Sequence, residues 1–394
     1  MHVTRVVLDH FRSWRHCLVD FTPGINVLYG RNGLGKTNIV EAIEFLATGT
    51  SHRVSSSMPL VERGETSAVV RANVVNAATF EGRTTTLTAT IPVKGANRGR
   101  INSDKSVYLR DIVGKVRTVV FAPDDQLLVS MDPSRRRDFL DSAGSQLVFD
   151  YYDTMQKFGH VAKQRAALLK RMGQMRMEGG DISQFFGELD VWTSSFCDLG
   201  MKLTHDRASI CERLSADFSS IYADLAHDGS TATLVYKPGF ADMAAELGDI
   251  AFQSGDAQPV DDVRLGISQH FQRIFDGELA QGRNLIGPHK DDVVFLLDGM
   301  PAREYASNGE MWTMALALKM ALFKTLGSDN PPILILDDVF SQLDATRRKQ
   351  IVDFASRQEQ VIITVAAESD VPQGIEATMI DVRQVKEDSD AAQW

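Results

Sequence analysis

Gly30-Arg31-Asn32-Gly33-Leu34-Gly35-Lys36-Thr37 satisfies the phosphate-loop pattern G-x-x-x-x-G-K-[ST] at every fixed position. Before it, Ile25, Val27 and Leu28 read as a short buried strand. After it, Asn38 to Leu46 reads as a helix, with Ile39, Val40, Ile43 and Leu46 as its apolar positions. A strand, a glycine turn and a helix N-terminus together make a phosphate site, because free backbone N–H groups and the positive helix end face the anion. Here Gly30, Arg31, Asn32, Gly33, Leu34, Gly35, Lys36 and Thr37 are the nucleotide-binding candidates. Lys36 offers a point charge to the β- and γ-phosphates, and Thr37 a hydroxyl to Mg²⁺. The plain alternative is a glycine turn with a chance lysine, and the flanking strand and helix weigh against it.

The second half of such a site is expected where Pro331-Pro332-Ile333-Leu334-Ile335-Leu336 runs into Asp337-Asp338. In parallel α/β sheets, ligands sit at the C-terminal edge of the strands. Asp337 is placed to hold Mg²⁺, directly or through water, and Asp338 to orient and deprotonate an attacking water. The candidate catalytic pair is therefore Asp338 and Lys36, and the candidate metal pair Thr37 and Asp337. Because 301 residues separate Lys36 from Asp337, opposite ends of the chain must close the site.

A third feature is Ser307-Asn308-Gly309-Glu310, which opens a helix over 309–326. A serine and a glycine at a helix N-terminus offer a hydroxyl, N–H groups and the positive dipole end. One γ-phosphate has no need of two such ends in one subunit, so this end is expected to meet the nucleotide of another copy. Simple N-capping by Ser307 explains the same residues taken alone.

At 394 residues the chain exceeds one ordinary core, so two or three packed units are expected. Apolar residues make up 43% and charged residues 24%, as in ordinary globular proteins. No apolar run reaches membrane-spanning length, and the opening Met-His-Val-Thr-Arg-Val-Val-Leu-Asp-His reads as a strand, not a signal peptide. Cys17, Cys197 and Cys211 have no metal spacing, and a reduced cytosol fits them.

The net charge of −10 argues against nucleic acid only as an average. Lys94 to Arg117 carries seven Lys/Arg against two Asp, and Lys157 to Met177 six Lys/Arg and no acid. Ala241 to Asp262 holds six Asp/Glu and no base, and residues 241–260 read as an acidic loop. The basic stretches are candidate nucleic-acid faces, with Lys94, Arg98, Arg100 and Lys105 as the contact candidates. Solvated strand and helix faces are the plainer reading of composition alone.

Periodicity divides the chain into four parts. Residues 1–132 hold the phosphate loop and alternating strands at 66–75 and 84–92, in an antiparallel lobe that begins as a meander of three strands. Residues 133–283 read as a helical arm, with Gly179-Gly180 between two long helices. Residues 284–385 return to α/β texture, with strands at 293–297, 333–336, 361–365 and 379–382 and a helix at 345–355. Residues 386–394 are acidic and polar and are expected to be a flexible tail.

Taken together, these elements resemble an ATP-binding-cassette head of the chromosome-maintenance type, and specifically the RecF family. The resemblance rests on Phe11-Arg12-Ser13-Trp14, on Thr37-Asn38 with Glu41-Ala42-Ile43, and on Phe121-Ala122-Pro123-Asp124-Asp125. It rests also on Pro133-Ser134-Arg135-Arg136-Arg137, Gly287-Pro288-His289-Lys290-Asp291-Asp292, Ser307 to Glu310, and Leu336 to Asp344. It implies an α/β fold, a cassette head with a mixed sheet around the phosphate loop and an inserted helical subdomain. It implies a cytoplasmic recombination mediator that binds ATP, hydrolyses it slowly, dimerises head to head and binds duplex DNA near gaps. With RecO and RecR such a protein helps RecA load onto single strands in DNA repair.

The resemblance also makes Ser307, Asn308, Gly309 and Glu310 the signature motif, puts Asp344 in the D-loop and places Arg12 near the phosphates. Three departures stand out: Gln342 where an acid is common, no evident Q-loop glutamine after strand 117–121 (Asp124 and Gln126 remain open), and Thr364 in place of the switch region's histidine. His289 has no assigned role. The rival readings are a structural DNA-organising ATPase of the same head type, which needs long coiled-coil arms, and a transporter ATPase, which needs a membrane partner.

Overall fold

The computed structural model describes residues 1–54, 56–76, 84–226, 229–240, 261–327, 330–341, 343–372 and 374–391. The acidic loop expected at 241–260 and Gln342 lie outside them.

A five-stranded sheet carries the phosphate loop. Its strands are β3 (Gly24–Tyr29), β8 (Thr118–Phe121), β12 (Ile333–Asp337), β13 (Gln360–Val365) and β14 (Ala377–Asp381). They run in the order β14-β3-β13-β12-β8, and every neighbouring pair is parallel. The inner strands are buried on both faces, which is why 333–336 and 361–365 read as unbroken apolar runs. Their alternation still sorts two cores. Ile333, Ile335 and Ile362 face one, and Leu334, Leu336, Val361 and Ile363 the other.

Helix α1 (Lys36–Thr48) fills the first core. Above it lies an antiparallel sheet of β1 (His2–Phe11), β2 (Trp14–Asp20), β4 (Ser67–Val75), β5 (Thr84–Pro92), β6 (Arg98–Ile101) and β7 (Val107–Tyr108), in the order β2-β1-β4-β5-β6-β7. Strands β4 and β5 bury every second residue, with Val70, Ala72, Leu87 and Ala89 facing α1 and Arg71, Thr86, Thr88 and Thr90 on the opposite face. Squeezed between two sheets, α1 is buried on nearly all sides. The three-strand meander expected at the start is broken: β1 and β2 pair, but β3 crosses to the parallel sheet, because the phosphate loop must leave a strand buried on both faces.

The second core joins the other face of the parallel sheet to the helices α2 (Pro133–Leu147), α3 (Tyr151–Met177), α4 (Phe186–Ala226), α5 (Asp261–Gln281) and α6 (Asn308–Leu326). The long helices α3 and α4 form the hairpin that Gly179-Gly180 indicated. Their lower parts share one cluster with Leu334 and Ile363, so the arm grows out of the head's own core. A small antiparallel sheet ties the two together: β9 (Ala232–Lys237) pairs with β10 (Asp292–Leu297), which pairs with β11 (Met300–Pro301). Inside the arm, Arg165 is enclosed against the Glu278 carboxylate and Asn284, and Arg207 against Asp141 and Asp291. Helix α7 (Ala345–Ala355) lies between β12 and β13 in sequence.

A second expectation is corrected. Residues 386–391 do not fray: α8 (Val382–Ala391) continues from β14. Val382 and Ser389 are buried, and the Lys386 ammonium lies 5.9 Å from the centre of the Trp14 ring. The acidic residues that suggested a tail occupy the helix's outer face. Residues 392–394 lie outside the described part.

Candidate nucleotide site

The parallel sheet brings the two ends of the chain together. Strand β13 stands between β3 and β12, with Asp337 opposite Thr364 and Thr364 opposite Leu28. The phosphate loop, Asp337-Asp338 and Thr364 therefore share one C-terminal edge of the sheet, where parallel α/β folds bind ligands.

Helix α1 starts at Gly35, whose φ of 98° suits glycine. A side chain there would collide with the Trp14 indole, which itself donates to the Gly35 carbonyl at 3.1 Å. The Lys36 ammonium is gathered by the Gly30 carbonyl at 2.5 Å, the Arg31 carbonyl at 3.1 Å and Asn32 Oδ1 at 3.4 Å. Burial lowers its pKa, against the opposing pull of Asp338 and Asp337. Thr37 Oγ1 donates to Asp337 Oδ1 at 3.0 Å. A hydroxyl and a carboxylate on one point are the hard oxygen donors that Mg²⁺ takes, so Thr37 and Asp337 fit that ion.

Asp338 sits next to them in a left-handed backbone conformation, φ 52°. Burial, and then the charge of Asp337, raise its pKa, while Lys36 pulls the other way. A raised carboxyl poised beside the metal candidates suits a general base. Sequence reading named Thr364 only as a departure from the switch histidine and gave it no role. Fully buried, it donates to Asp337 Oδ1 at 2.6 Å and accepts the Asp338 N–H at 3.0 Å. Its only signal in the sequence was a hydroxyl at the end of an apolar strand.

Arg12 is held away from solvent by Glu41, one turn along α1 from the loop. Its Nε donates to Glu41 Oε2 at 2.9 Å and its Nη2 to Oε1, and Nη1 reaches the Pro59 carbonyl. Arg53 joins Glu41 at 3.1 Å and Asn38 Oδ1 at 3.0 Å. The side chains of Ser13 and Trp14, rather than Arg12, touch Asn38 and Gly35.

Ser307 caps α6 with a reciprocal pair: its Oγ accepts the Glu310 N–H at 3.3 Å, and Glu310 accepts the Ser307 N–H at 2.6 Å. Ser307 and Asn308 are exposed. Arg347 donates to the Gly309 carbonyl at 2.9 Å and pairs with Asp344, the cap of α7, so one guanidinium bridges the candidate signature and D-loop segments. Apart from Ala315, the buried apolar residues of α6 belong to the core opposite the one that α1 fills. The two helix ends thus start from opposite faces of the parallel sheet.

Lys94, Arg98, Arg100 and Lys105 are all exposed. Arg98 and Arg100 lie on one face of β6, opposite Thr90 and Thr88, and Arg71 stands beyond Thr88 on β4. The Arg98 guanidinium stacks 4.5 Å from the Tyr108 ring, with Arg110 at 4.6 Å. His289 packs edge-on to Phe196 and bonds the Asn284 carbonyl at 3.1 Å, and burial lowers its pKa, so its surroundings are structural. Asp125 caps Ala122 and pairs with Lys319 at 3.1 Å, while Asp124 is exposed.

Among known proteins, the RecF/RecN/SMC N terminal domain family model matches residues 2–389. The DNA replication and repair protein RecF of Bifidobacterium adolescentis is 53% identical, over 99% of this chain and 93% of that protein. This chain belongs to the RecF family. The RecF of Pseudarthrobacter chlorophenolicus is 38% identical over 97% of this chain and 98% of its own. A solved structure described as the recombination mediator protein RecF-ATPrS in the RecFOR pathway superposes with a TM-score of 0.80 at 25% identity. It covers 97% of this chain and 96% of that one. An Smc head domain of Pyrococcus furiosus, 16% identical with a TM-score of 0.50 over 98% of this chain and 94% of its own, shares the fold. The RecF-family chain is therefore an ATPase head of the SMC type, and no helix among the described residues is long and apolar enough to cross a membrane.

Proposed function

We propose that this chain is an ATP-gated DNA clamp serving as a recombination mediator in DNA repair, working in the cytoplasm. ATP sits on Arg31 to Thr37, and a second copy of the chain presents Ser307 to Glu310 to the γ-phosphate. The observation that carries the reading is the placement of α1 and α6 on opposite faces of the parallel sheet. Two phosphate-binding helix ends on opposite faces serve one nucleotide only when two chains meet. ATP then favours the dimer through its differential affinity for the paired heads.

Mg²⁺, held by Thr37 and Asp337, supplies charge neutralisation on the phosphates. Lys36 orients the β- and γ-phosphates, and Asp338 takes the proton of the attacking water. Hydrolysis, slow on the timescale of DNA engagement, releases the dimer. Duplex DNA near gaps lies across the exposed face of the antiparallel sheet, with Lys94, Arg98, Arg100 and Lys105 on its phosphates. RecR is the expected partner, with RecO alongside and RecA downstream.

The test is light scattering of the wild-type and Lys36→Ala chains with and without ATP and Mg²⁺. The wild type should double in mass with ATP and the variant should stay monomeric. An undiminished dimer in the variant would overturn the reading.

A further inference from the structure

We infer that Thr364 is a positioning residue for ATP hydrolysis, fixing Asp337 and Asp338 at once through a single hydroxyl. The inference rests on the ATPase reading above.

Thr364 is the penultimate residue of β13, the strand inserted between the phosphate-loop strand and the strand that ends in Asp337. It is fully buried. Its Oγ1 accepts the Asp338 N–H at 3.0 Å and lies 2.6 Å from Asp337 Oδ1. An N–H can only donate and a carboxylate only accept, so the single hydroxyl proton points at Asp337. The bonds therefore run in one direction, from the Asp338 amide through Thr364 to the Asp337 carboxylate. Thr37 Oγ1 reaches the same Oδ1 from the phosphate-loop side at 3.0 Å. Two hydroxyls, one from the first turn of α1 and one from β13, thus settle the orientation of the carboxylate offered to the metal.

The second bond acts on Asp338. Its φ of 52° lies in a region sparsely populated by residues with a side chain. Such a conformation persists when its surroundings over-determine it. The Thr364 hydroxyl, the Thr364 carbonyl 3.3 Å from the same N–H, and Ser341 Oγ donating to the Asp338 carbonyl at 2.9 Å do so here. Without the hydroxyl, the carboxyl that should face the attacking water loses one of its three backbone anchors.

Thr364→Val keeps the branched shape and removes the hydroxyl. Thr364→Ser and Thr364→Ala form a second pair that differ only in the hydroxyl, and they carry the comparison should the valine variant fail to fold. Each full chain is assayed for binding of a fluorescent ATP analogue with and without Mg²⁺, and for kcat and KM of ATP hydrolysis.

Thr364→Val and Thr364→Ala should bind the analogue normally without Mg²⁺ and lose roughly tenfold of the affinity that Mg²⁺ adds, as expected for one charge-assisted hydrogen bond. At saturating Mg²⁺ and ATP their kcat should fall by a similar factor, KM for ATP should rise with the lost Mg²⁺-dependent affinity, and Thr364→Ser should recover both. Wild-type values in the valine and alanine variants, or a serine variant as impaired as alanine, would overturn the inference. A wild type that hydrolyses no ATP would overturn the ATPase reading instead, and the Mg²⁺-dependent binding would still decide for or against Thr364.

Discussion

Arg12 closes over Glu41. The Glu41 side chain is completely enclosed on α1, while the Arg12 side chain keeps 16% of its surface and Arg53 approaches from the outer side. A buried carboxylate is stable only when its charge and its lone pairs are met, and Arg12, Arg53 and Ser51 meet them here. The pair fastens the turn that carries Ser13 and Trp14 to the helix that begins with Lys36. Glu41→Ala should therefore cost about 3 kcal/mol, the low end for breaking a buried pair, since both arginines reach water once released. Denaturant unfolding checks the loss. A cost below about 0.5 kcal/mol, within the range of ordinary surface substitutions, would show that the turn is held by Trp14 alone.

Asp338 and Asp337 divide the work of one strand end. Asp337 is tied by two hydroxyls and suits a metal, whereas Asp338 has its pKa raised by burial and by Asp337 and suits a base. Asp338→Asn should keep nucleotide binding and dimerisation while hydrolysis falls by a factor on the order of 10² or more, the usual contribution of a general base. Single-turnover ATP hydrolysis beside light scattering separates the two. Normal turnover in the variant would remove Asp338 from that role.

His52 gives a pH dependence with a definite sign. Burial opposes its charged form, but the Glu44 carboxylate at 2.6 Å outweighs burial and the nearby Lys319, with Asp125 assisting, so its pKa is raised. A raised folded-state value means that stabilisation is complete below the unfolded value, about 6.5, and is lost as pH rises through the folded one. His52→Gln should therefore cost about 1 kcal/mol near pH 6, as for a partly exposed charged hydrogen bond, and less near pH 9. Thermal unfolding at the two pH values measures it. An equal cost at both would assign the effect to packing.

The phosphate loop, the Asp337-Asp338 strand and the Ser307 cap were legible because each needs fixed residue types at fixed spacing. The parallel strands were legible as apolar runs. What stayed hidden depended on partners far away in sequence. Nothing near Arg12 announces Glu41 as its counter-ion, and a threonine ending an apolar strand looks the same whether or not two aspartates wait on the next strand. The departure of β3 from the opening meander was hidden for a related reason: which sheet a short apolar strand joins is decided by strands more than 300 residues later. The acidic segment after 385 misled because the inward-facing residues of its helix, buried Val382 and Ser389 and half-buried Val385, are few and helically spaced among charges.

The exposed face of the antiparallel sheet offers the sharpest test of the DNA reading. Arg98 and Arg100 project from β6 with threonines on the neighbouring strand, and Lys94 stands in the turn before them. No ion pair to Lys94, Arg98 or Arg100 occurs among the described residues, although Arg98 rests on Tyr108. Unpaired cations on a polar sheet release counterions when they meet phosphates, so each contact contributes about 0.9 to the slope of log K against log salt. Replacing Lys94, Arg98 and Arg100 together by glutamine should weaken duplex binding uniformly across sequences and flatten that slope by about 2 to 3. Fluorescence anisotropy on gapped duplexes of two unrelated sequences, titrated from low to moderate salt with ATP present, reads both quantities. An unchanged slope would move the DNA face to the arm, where Lys163 and Lys170 on α3 are exposed. A loss confined to one of the two sequences would contradict phosphate recognition altogether.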